Sequence, residues 1–395
     1  MRKKLSIIGG GTAALFVAAF IDTSLYEVTI YEQKKSLGRK FLVAGDGGFN
    51  LSHSECMDKL KQRYRPSGWL DTALSSFTNT DLREWLLSIG IPTFVGSSKR
   101  IFPEKHIKPI QVLQAIKRYL DAKGTKFRYE MTLTEITTDT LIFNGEEQLQ
   151  SPINIFALGG ASWKVTGSDG HWASIFNKVG IQIVPFQSHN CAFEVAWSES
   201  FLSSFEGQPL KNIALSVTEE SQKGELVITK FGLEGNAIYA LSSAIHNLIA
   251  KNSEALITLD LKPTLSSETI LNKLNDAKSN MTETLRRQLK LKKIHLQLIR
   301  ERTTREQYTD NNYMAKFLKA VPIRILAAAP IDEAISTAGG VSISAALTYD
   351  FELVKRPGNY CIGEMVDWTA PTGGYLIQAC ASMGVFLARR LNALA

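Results

Sequence analysis

Gly9-x-Gly11-x-x-Ala14 follows a short apolar run, Lys4–Ile8, and Glu32 closes the next one, Val28–Glu32. These residue types at this spacing suit the holding of a diphosphate. Gly9 permits a tight turn, Gly11 lacks the Cβ that would block a pyrophosphate, and Ala14 lets helix and strand pack closely. The phosphates then meet unpaired N–H groups and the positive end of a helix dipole, at Gly9, Gly11, Thr12 and Ala13. A carboxylate roughly 20 residues further on accepts hydrogen bonds from an adenosine ribose, the role expected of Glu32 with Gln33 beside it. A glycine turn that binds nothing shares the first half of this pattern. The acidic strand end is what favours a dinucleotide.

A second glycine-rich and partly basic loop follows at once, Gly38-Arg39-Lys40 and Gly45-Asp-Gly-Gly48-Phe-Asn50. It suits a cofactor with ribityl and ring portions still to be held, and an ordinary loop equally well. The C-terminal stretch breaks the tie in favour of FAD over NAD. Tyr360-Cys-Ile-Gly363-Glu364 reads as a strand ending in a carboxylate able to reach ribityl hydroxyls. Pro371-Thr-Gly-Gly374 then opens an apolar helix over Tyr375–Leu391. Its N-terminus would face the N1/O2 edge of a flavin, where negative charge gathers on reduction.

The elements that must position these residues are legible too. Lys4–Ile8 has the continuous apolar character of a buried parallel strand, Thr12–Ile21 reads as a helix, and Val28–Glu32 as a second strand. That is the βαβ unit of a doubly wound sheet. Helices are expected near Leu82–Ile89 and over Pro109–Ala122, with strands over Lys126–Glu135, Thr140–Phe143 and from Ile153. From about 187 to 262 the pattern becomes β-rich alternation, and from Ser266 to about Ala320 it is polar and helical. Glycine-rich apolar character returns at Ile323. We therefore expect one α/β domain, 1–186 with 323–395, split by a β-rich insert at 187–262 and a helical one at 263–322.

At 395 residues the chain exceeds what one core usually supports, and 44% apolar with 21% charged residues excludes a disordered or fibrous protein. Met1-Arg-Lys-Lys before an apolar run imitates a secretory signal, but Gly9 to Gly11 interrupt it. Asp22 ends it short of the ~20 residues a bilayer span needs. Cys56, Cys191, Cys361 and Cys380 form no CxxC, so neither disulfides nor a zinc site is expected, and the reading is a cytoplasmic protein without a metal.

The sequence resembles the YhiN-like flavoproteins, which include the BaiN and aminoacetone oxidase types. The matching pieces are Ile8-Gly-Gly-Gly-Thr-Ala-Ala14, Gly38-Arg-Lys-Phe-Leu-Val-Ala-Gly45, Gly47-Gly-Phe-Asn-Leu-Ser-His-Ser-Glu55 and Arg100-Ile-Phe-Pro103. Further on come Ala157-Leu-Gly-Gly-Ala-Ser162, Thr166-Gly-Ser-Asp-Gly170, Thr337-Ala-Gly-Gly-Val341 and the run from Gly363 to Tyr375. The resemblance implies a Rossmann-like FAD-binding domain interrupted by a β-barrel-like subdomain and a small helical one. It implies that Arg39, Lys40, Gly45 and Asn50 lie along the middle and flavin end of the cofactor. Ala157 and Gly159 would pass the adenosine half, with Met131, in the strand after the helix, meeting the adenine through its backbone. Gly363 and Glu364 would meet the ribityl chain, and Gly373, Gly374, Tyr375 and Leu376 the pyrimidine edge. Many relatives have Gly-Arg-Cys-Asn where this chain has Gly47-Gly48-Phe49-Asn50, so any role of that cysteine is absent.

The function expected is that of an FAD-dependent oxidoreductase moving a hydride between flavin N5 and a small organic substrate or NAD(P)H. No second glycine fingerprint is present, so NAD(P)H would dock transiently. Most of the six histidines read as structural; His53 is the exception, in the loop expected near the flavin. Arg100, as a cation for an anionic substrate, and Trp163, as an aromatic wall, are the other candidates. No general base is assigned. Arg286, Arg287, Lys290, Lys292, Lys293, Arg300 and Arg302 interleave with leucines and isoleucines. They read first as the solvated face of an amphipathic helix, so nucleic acid is the lesser expectation. The alternatives are an RNA-associated flavoprotein using that stretch, or an FAD-holding protein without turnover.

Overall fold

The computed structural model describes residues 2–43 and 49–395, so the expectation for Gly45 lies outside the described residues. The chain divides into two compact units, Met1–Ser188 with Ile331–Ala395, and His189–Pro330.

In the first unit the strands Lys3–Ile8 (β1), Tyr26–Glu32 (β2), Lys126–Tyr129 (β3), Ile153–Phe156 (β4) and Asn359–Cys361 (β5) form one parallel sheet. Their order is β5-β4-β1-β2-β3. Chain order reverses direction at β1, between β2 and β4. Such a switch point leaves a crevice beyond the carboxyl ends of the two strands. Thr12–Phe20 (α1) starts at that end of β1. Ala13 to Ala19 are all buried, so this short helix is apolar all round and is covered on every side.

Tyr375–Ala393 (α2) lies against α1. A Cβ on Gly384 would stand 2.7 Å from the Ala13 carbonyl oxygen, so the helix backbones approach at that glycine. The start of α2 is pinned elsewhere. Gly374 has φ +97°, and a Cβ there would lie 2.5 Å from the Ser52 Cα. Ser52 belongs to a small antiparallel sheet of Ser52–His53, Arg100–Pro103 and Thr93–Val95, in which His53 faces Arg100. That sheet brings residues distant in sequence to the first turn of the last helix.

Three expectations change. The strand expected over Lys126–Glu135 is two, because Glu130 takes φ +58° and ends β3; Leu133–Ile136 then pairs antiparallel with Leu141–Phe143. Met131 therefore sits in the link and not in a strand. The return to the first unit comes at Ile331 instead of 323, because Val321–Ile325 pairs with Ala255–Asp260. The basic stretch is not one helix: Met281–Arg287 and Lys293–Arg300 are separated by a turn in which Lys290 has φ +51°.

The second unit carries a six-stranded antiparallel sheet and the helices between Ser267 and Phe317. The Leu261 N–H donates to the Leu318 carbonyl (2.9 Å), tying helices and sheet together. Among the described residues no helix is long and apolar enough to cross a membrane.

Candidate functional site

The turn after β1 is built for close backbone approach. Gly9 has φ +101°, and a Cβ there would lie 2.4 Å from the carbonyl oxygen of Ala157, at the end of β4. The Ala157 N–H in turn donates to the Ile8 carbonyl (2.8 Å). Gly11, the N-cap of α1, is different: a Cβ placed on it would meet nothing within 4 Å. No side chain caps α1 and its first turn holds no acidic residue. The N–H groups at Thr12 and Ala13 thus open onto space that a side chain at Gly11 would fill. Donors of this kind at a helix N-terminus fit a pyrophosphate.

Glu32 is 8% exposed. Its Oε2 accepts the Gly10 N–H (2.7 Å) and its Oε1 the Lys34 N–H (2.7 Å). Burial raises its pKa, against the pull of those two N–H groups and of the Lys34 and Arg39 charges. Each oxygen keeps one further lone pair, enough to receive two ribose hydroxyls. Glu32→Ala is expected to weaken FAD binding by about 1–3 kcal/mol, roughly 5- to 150-fold in Kd, read by titrating FAD into apoprotein. Unchanged affinity counts against the ribose role. Gln33 Nε2 donates to the Gly167 carbonyl. Met131 is buried and its N–H is taken by the Glu32 carbonyl (3.0 Å), so only its carbonyl remains for an adenine.

Lys40 and Glu364 are not independent cofactor contacts. Lys40 Nζ lies 2.7 Å from Glu364 Oε2 and 2.8 Å from Ser162 Oγ. Glu364 Oε1 accepts the Thr337 N–H (3.1 Å). This pair crosses from the short helix Arg39–Val43 to the turn Gly363–Met365 after β5 and leaves little net charge. Gly363, at φ +79°, lies so close to α1 that a Cβ would stand 2.9 Å from that of Ala13. Arg39 donates to the Val165 carbonyl (3.3 Å). Gly159, at φ +74°, offers its carbonyl to Trp172 Nε1 (3.0 Å). Trp163 has φ +62° and is 36% exposed, so it is no core tryptophan.

A polar network surrounds the start of α2. The Tyr375 hydroxyl donates to Glu55 Oε1 (2.7 Å), and Arg63 grips both Glu55 oxygens (3.1 and 3.0 Å). Those partners hold the Glu55 pKa below its ordinary value despite burial, while burial and Glu55 push the Tyr375 hydroxyl up. The Tyr375 ring stacks on His53, centroids 5.2 Å apart, and the Tyr64 hydroxyl donates to the Tyr375 carbonyl (2.9 Å). His53 Nδ1 accepts the Glu55 N–H (3.2 Å). Burial lowers its pKa, and the ring serves as a platform for Tyr375. Asn50 and Leu376 are half-buried.

Arg100 stands apart. It is half-buried beside Gly373, where a Cβ would lie 3.3 Å from its Nε, and it makes no ion pair among the described residues. Glu55, Arg63 and Tyr64 were not singled out in the sequence. The only signal was Glu55 at the end of the Asn50-to-Glu55 run; Arg63 follows 8 residues on, but Tyr375 lies 320 residues away. Among the described residues no group of three metal-ligating side chains occurs.

A family model described as the HI0933-like protein Rossmann domain matches residues 3–390. The chain is 24% identical over 389 residues to the ribosomal RNA dihydrouridine synthase of Haemophilus influenzae, covering 94% of each. It is 21% identical over 406 residues to the 3-dehydro-bile acid delta(4,6)-reductase of Clostridium scindens, covering 98% of each. Among solved structures it is similar to the open conformation of a flavocytochrome c3 fumarate reductase, with TM-score 0.47, 11% identity, and 99% and 78% of the two chains covered. It is also similar to 3-ketosteroid-delta4-(5alpha)-dehydrogenase from Rhodococcus jostii RHA1, with TM-score 0.46, 12% identity, and 99% and 96% covered.

Proposed function

Because the chain belongs to the HI0933-like family of Rossmann-domain FAD-binding oxidoreductases, we propose that it is a reductase of carbon–carbon double bonds conjugated to a carbonyl. Residues of the first unit suit the cofactor: the α1 N–H groups and the clear space at Gly11 for its pyrophosphate, and Glu32 for its ribose. When bound, the flavin supplies a hydride donor, refilled by NAD(P)H that docks transiently.

The observation that carries this reading is Arg100. Adding hydride to the β-carbon of a conjugated carbonyl moves an electron pair onto the carbonyl oxygen. A half-buried guanidinium that makes no ion pair among the described residues, beside the positive end of a 19-residue helix, stabilises that developing oxyanion. The Glu55–Arg63–Tyr375 network does not compete, since its charges are spent on one another. His53 and Tyr375 orient the helix start. The Tyr375 proton is committed to Glu55, so the α-carbon takes its proton from water.

The curated relatives support the same acceptor. The uridine ring has a double bond conjugated to a carbonyl, and the 4,6 unsaturation of a 3-dehydro bile acid is conjugated to its 3-oxo group. The test is anaerobic. NADPH should bleach the yellow protein, and a conjugated cyclic ketone should restore the colour mole for mole, giving the saturated ketone. Reoxidation by O₂ alone, with no conjugated acceptor consumed, overturns the proposal.

A further inference from the structure

The structure sorts the basic stretch of the second unit into spent and unspent charge. Arg286 and Arg287 share Glu283. Arg302 is largely withdrawn from solvent, donates to the Pro322 carbonyl (3.2 Å) and lies over the Trp197 ring. Arg300 donates to Thr282 Oγ1 (3.1 Å) and lies over Tyr308. Lys290, Lys292 and Lys293 remain, all exposed and without an ion pair among the described residues.

These lysines crowd one turn. Leu289 and Leu291, both buried, anchor it from below. Half-buried Lys262 feels the Lys290 charge, and buried His295, whose Nδ1 accepts the Lys292 N–H (3.2 Å), feels Lys262 and Lys292. The neighbouring carboxylate, Asp260, is already taken by Lys319 Nζ (2.6 Å) and by the Lys262 N–H (2.8 Å). Folding alone does not favour this arrangement. Lys290 takes a left-handed backbone, and Lys292 and Lys293 put positive charge at a helix N-terminus that holds no acidic residue. An anion bound here relieves both the mutual repulsion and the unfavourable dipole contact.

We infer that the Lys290–Lys293 turn, with Lys262 beside it, is a docking surface for the phosphate backbone of RNA. A row of exposed ammonium groups without an enclosing pocket suits a repeating polyanion. A lipid surface suits it less, because Leu289, Leu291 and Ile294 are buried and no apolar wedge accompanies the charges. The choice of RNA rests on the conjugated-carbonyl reading, since uracil contains that acceptor; the charge geometry does not depend on it.

The test uses the FAD-loaded full chain, a fluorescent RNA stem-loop with uridines in its loop, and a salt series followed by anisotropy. Wild type should bind at physiological salt and lose affinity steeply as salt rises. Lys290→Ala/Lys292→Ala/Lys293→Ala should bind roughly tenfold or more weakly, with the log–log salt slope reduced by about 2–3. Its melting temperature should not fall, and its reduction of a free conjugated ketone should be unchanged. Lys223→Ala, on the same unit's sheet, should bind like wild type. The inference falls if wild type does not bind the RNA, if the triple variant binds equally well, or if polyglutamate, a DNA stem-loop or anionic vesicles bind as tightly as the RNA. Ketone reduction without RNA binding overturns this inference alone; RNA binding without ketone reduction overturns the proposed reaction alone.

Discussion

Gly11→Val is expected to yield a folded protein that purifies colourless. The backbone there has φ −81° and ψ −174°, open to any residue, and a Cβ meets no protein atom within 4 Å. A branched side chain therefore costs the fold little. It does fill the space in front of the uncapped N–H groups of α1. Losing two or more charge-assisted hydrogen bonds to a pyrophosphate costs about 3–6 kcal/mol, roughly 100-fold or more in FAD affinity. The measurement is the visible spectrum and FAD content beside a melting curve. Gly9→Ala is the contrasting control. Its Cβ would stand 2.4 Å from the Ala157 carbonyl oxygen at φ +101°, so it should lower the melting temperature of the apoprotein itself. A fully yellow Gly11→Val protein refutes the placement of the diphosphate.

Arg100→Ala should slow reoxidation of the reduced protein by a conjugated ketone about 10²–10³-fold, the usual loss when one oxyanion donor is removed. Bleaching by NADPH should change far less, because that half-reaction develops no oxyanion on the substrate side. FAD content should be unaltered, since neither the α1 turn nor Glu32 touches Arg100. Arg100→Lys keeps a point charge without the planar fork and should recover part of the rate. Stopped-flow measurement of the two half-reactions separates these effects. Equal reoxidation rates in wild type and Arg100→Ala would remove Arg100 from the chemistry and with it the main support for a conjugated acceptor.

Much of the first unit is legible in the amino-acid sequence. The strand read as Lys4–Ile8 is Lys3–Ile8, the helix read as Thr12–Ile21 is Thr12–Phe20, and Pro109–Ala122 has the bounds expected. Parallel strands buried on both faces read as continuous apolar runs, and the glycines after β1 mark a place where the chain can turn tightly. Both are local demands, written in adjacent residues. The last helix was visible for the same reason, from Gly373 and Gly374 followed by an apolar stretch.

The partnerships inside the site were not legible. Glu364, expected near a ribityl chain, bonds Lys40 and the Thr337 N–H, partners that no local pattern announced. The Tyr375 hydroxyl meets Glu55, which carried no expected role. The basic stretch had the periodicity of one helix, yet Lys290 breaks it and decides which lysines are exposed together.

Backbone conformation answers to a residue and its near neighbours, so the local sequence determined the βαβ start and the closing helix, while the order of the strands came with the fold. Whether a charge is free or spent depends on which distant side chain arrives within 3 Å of it under low solvent exposure. Only the packed sheet could decide that, by laying Ser52–His53 against Arg100 and both against the first turn of α2. In the folded chain Lys40 pairs with Glu364 and Arg63 with Glu55, while Arg100 makes no ion pair among the described residues.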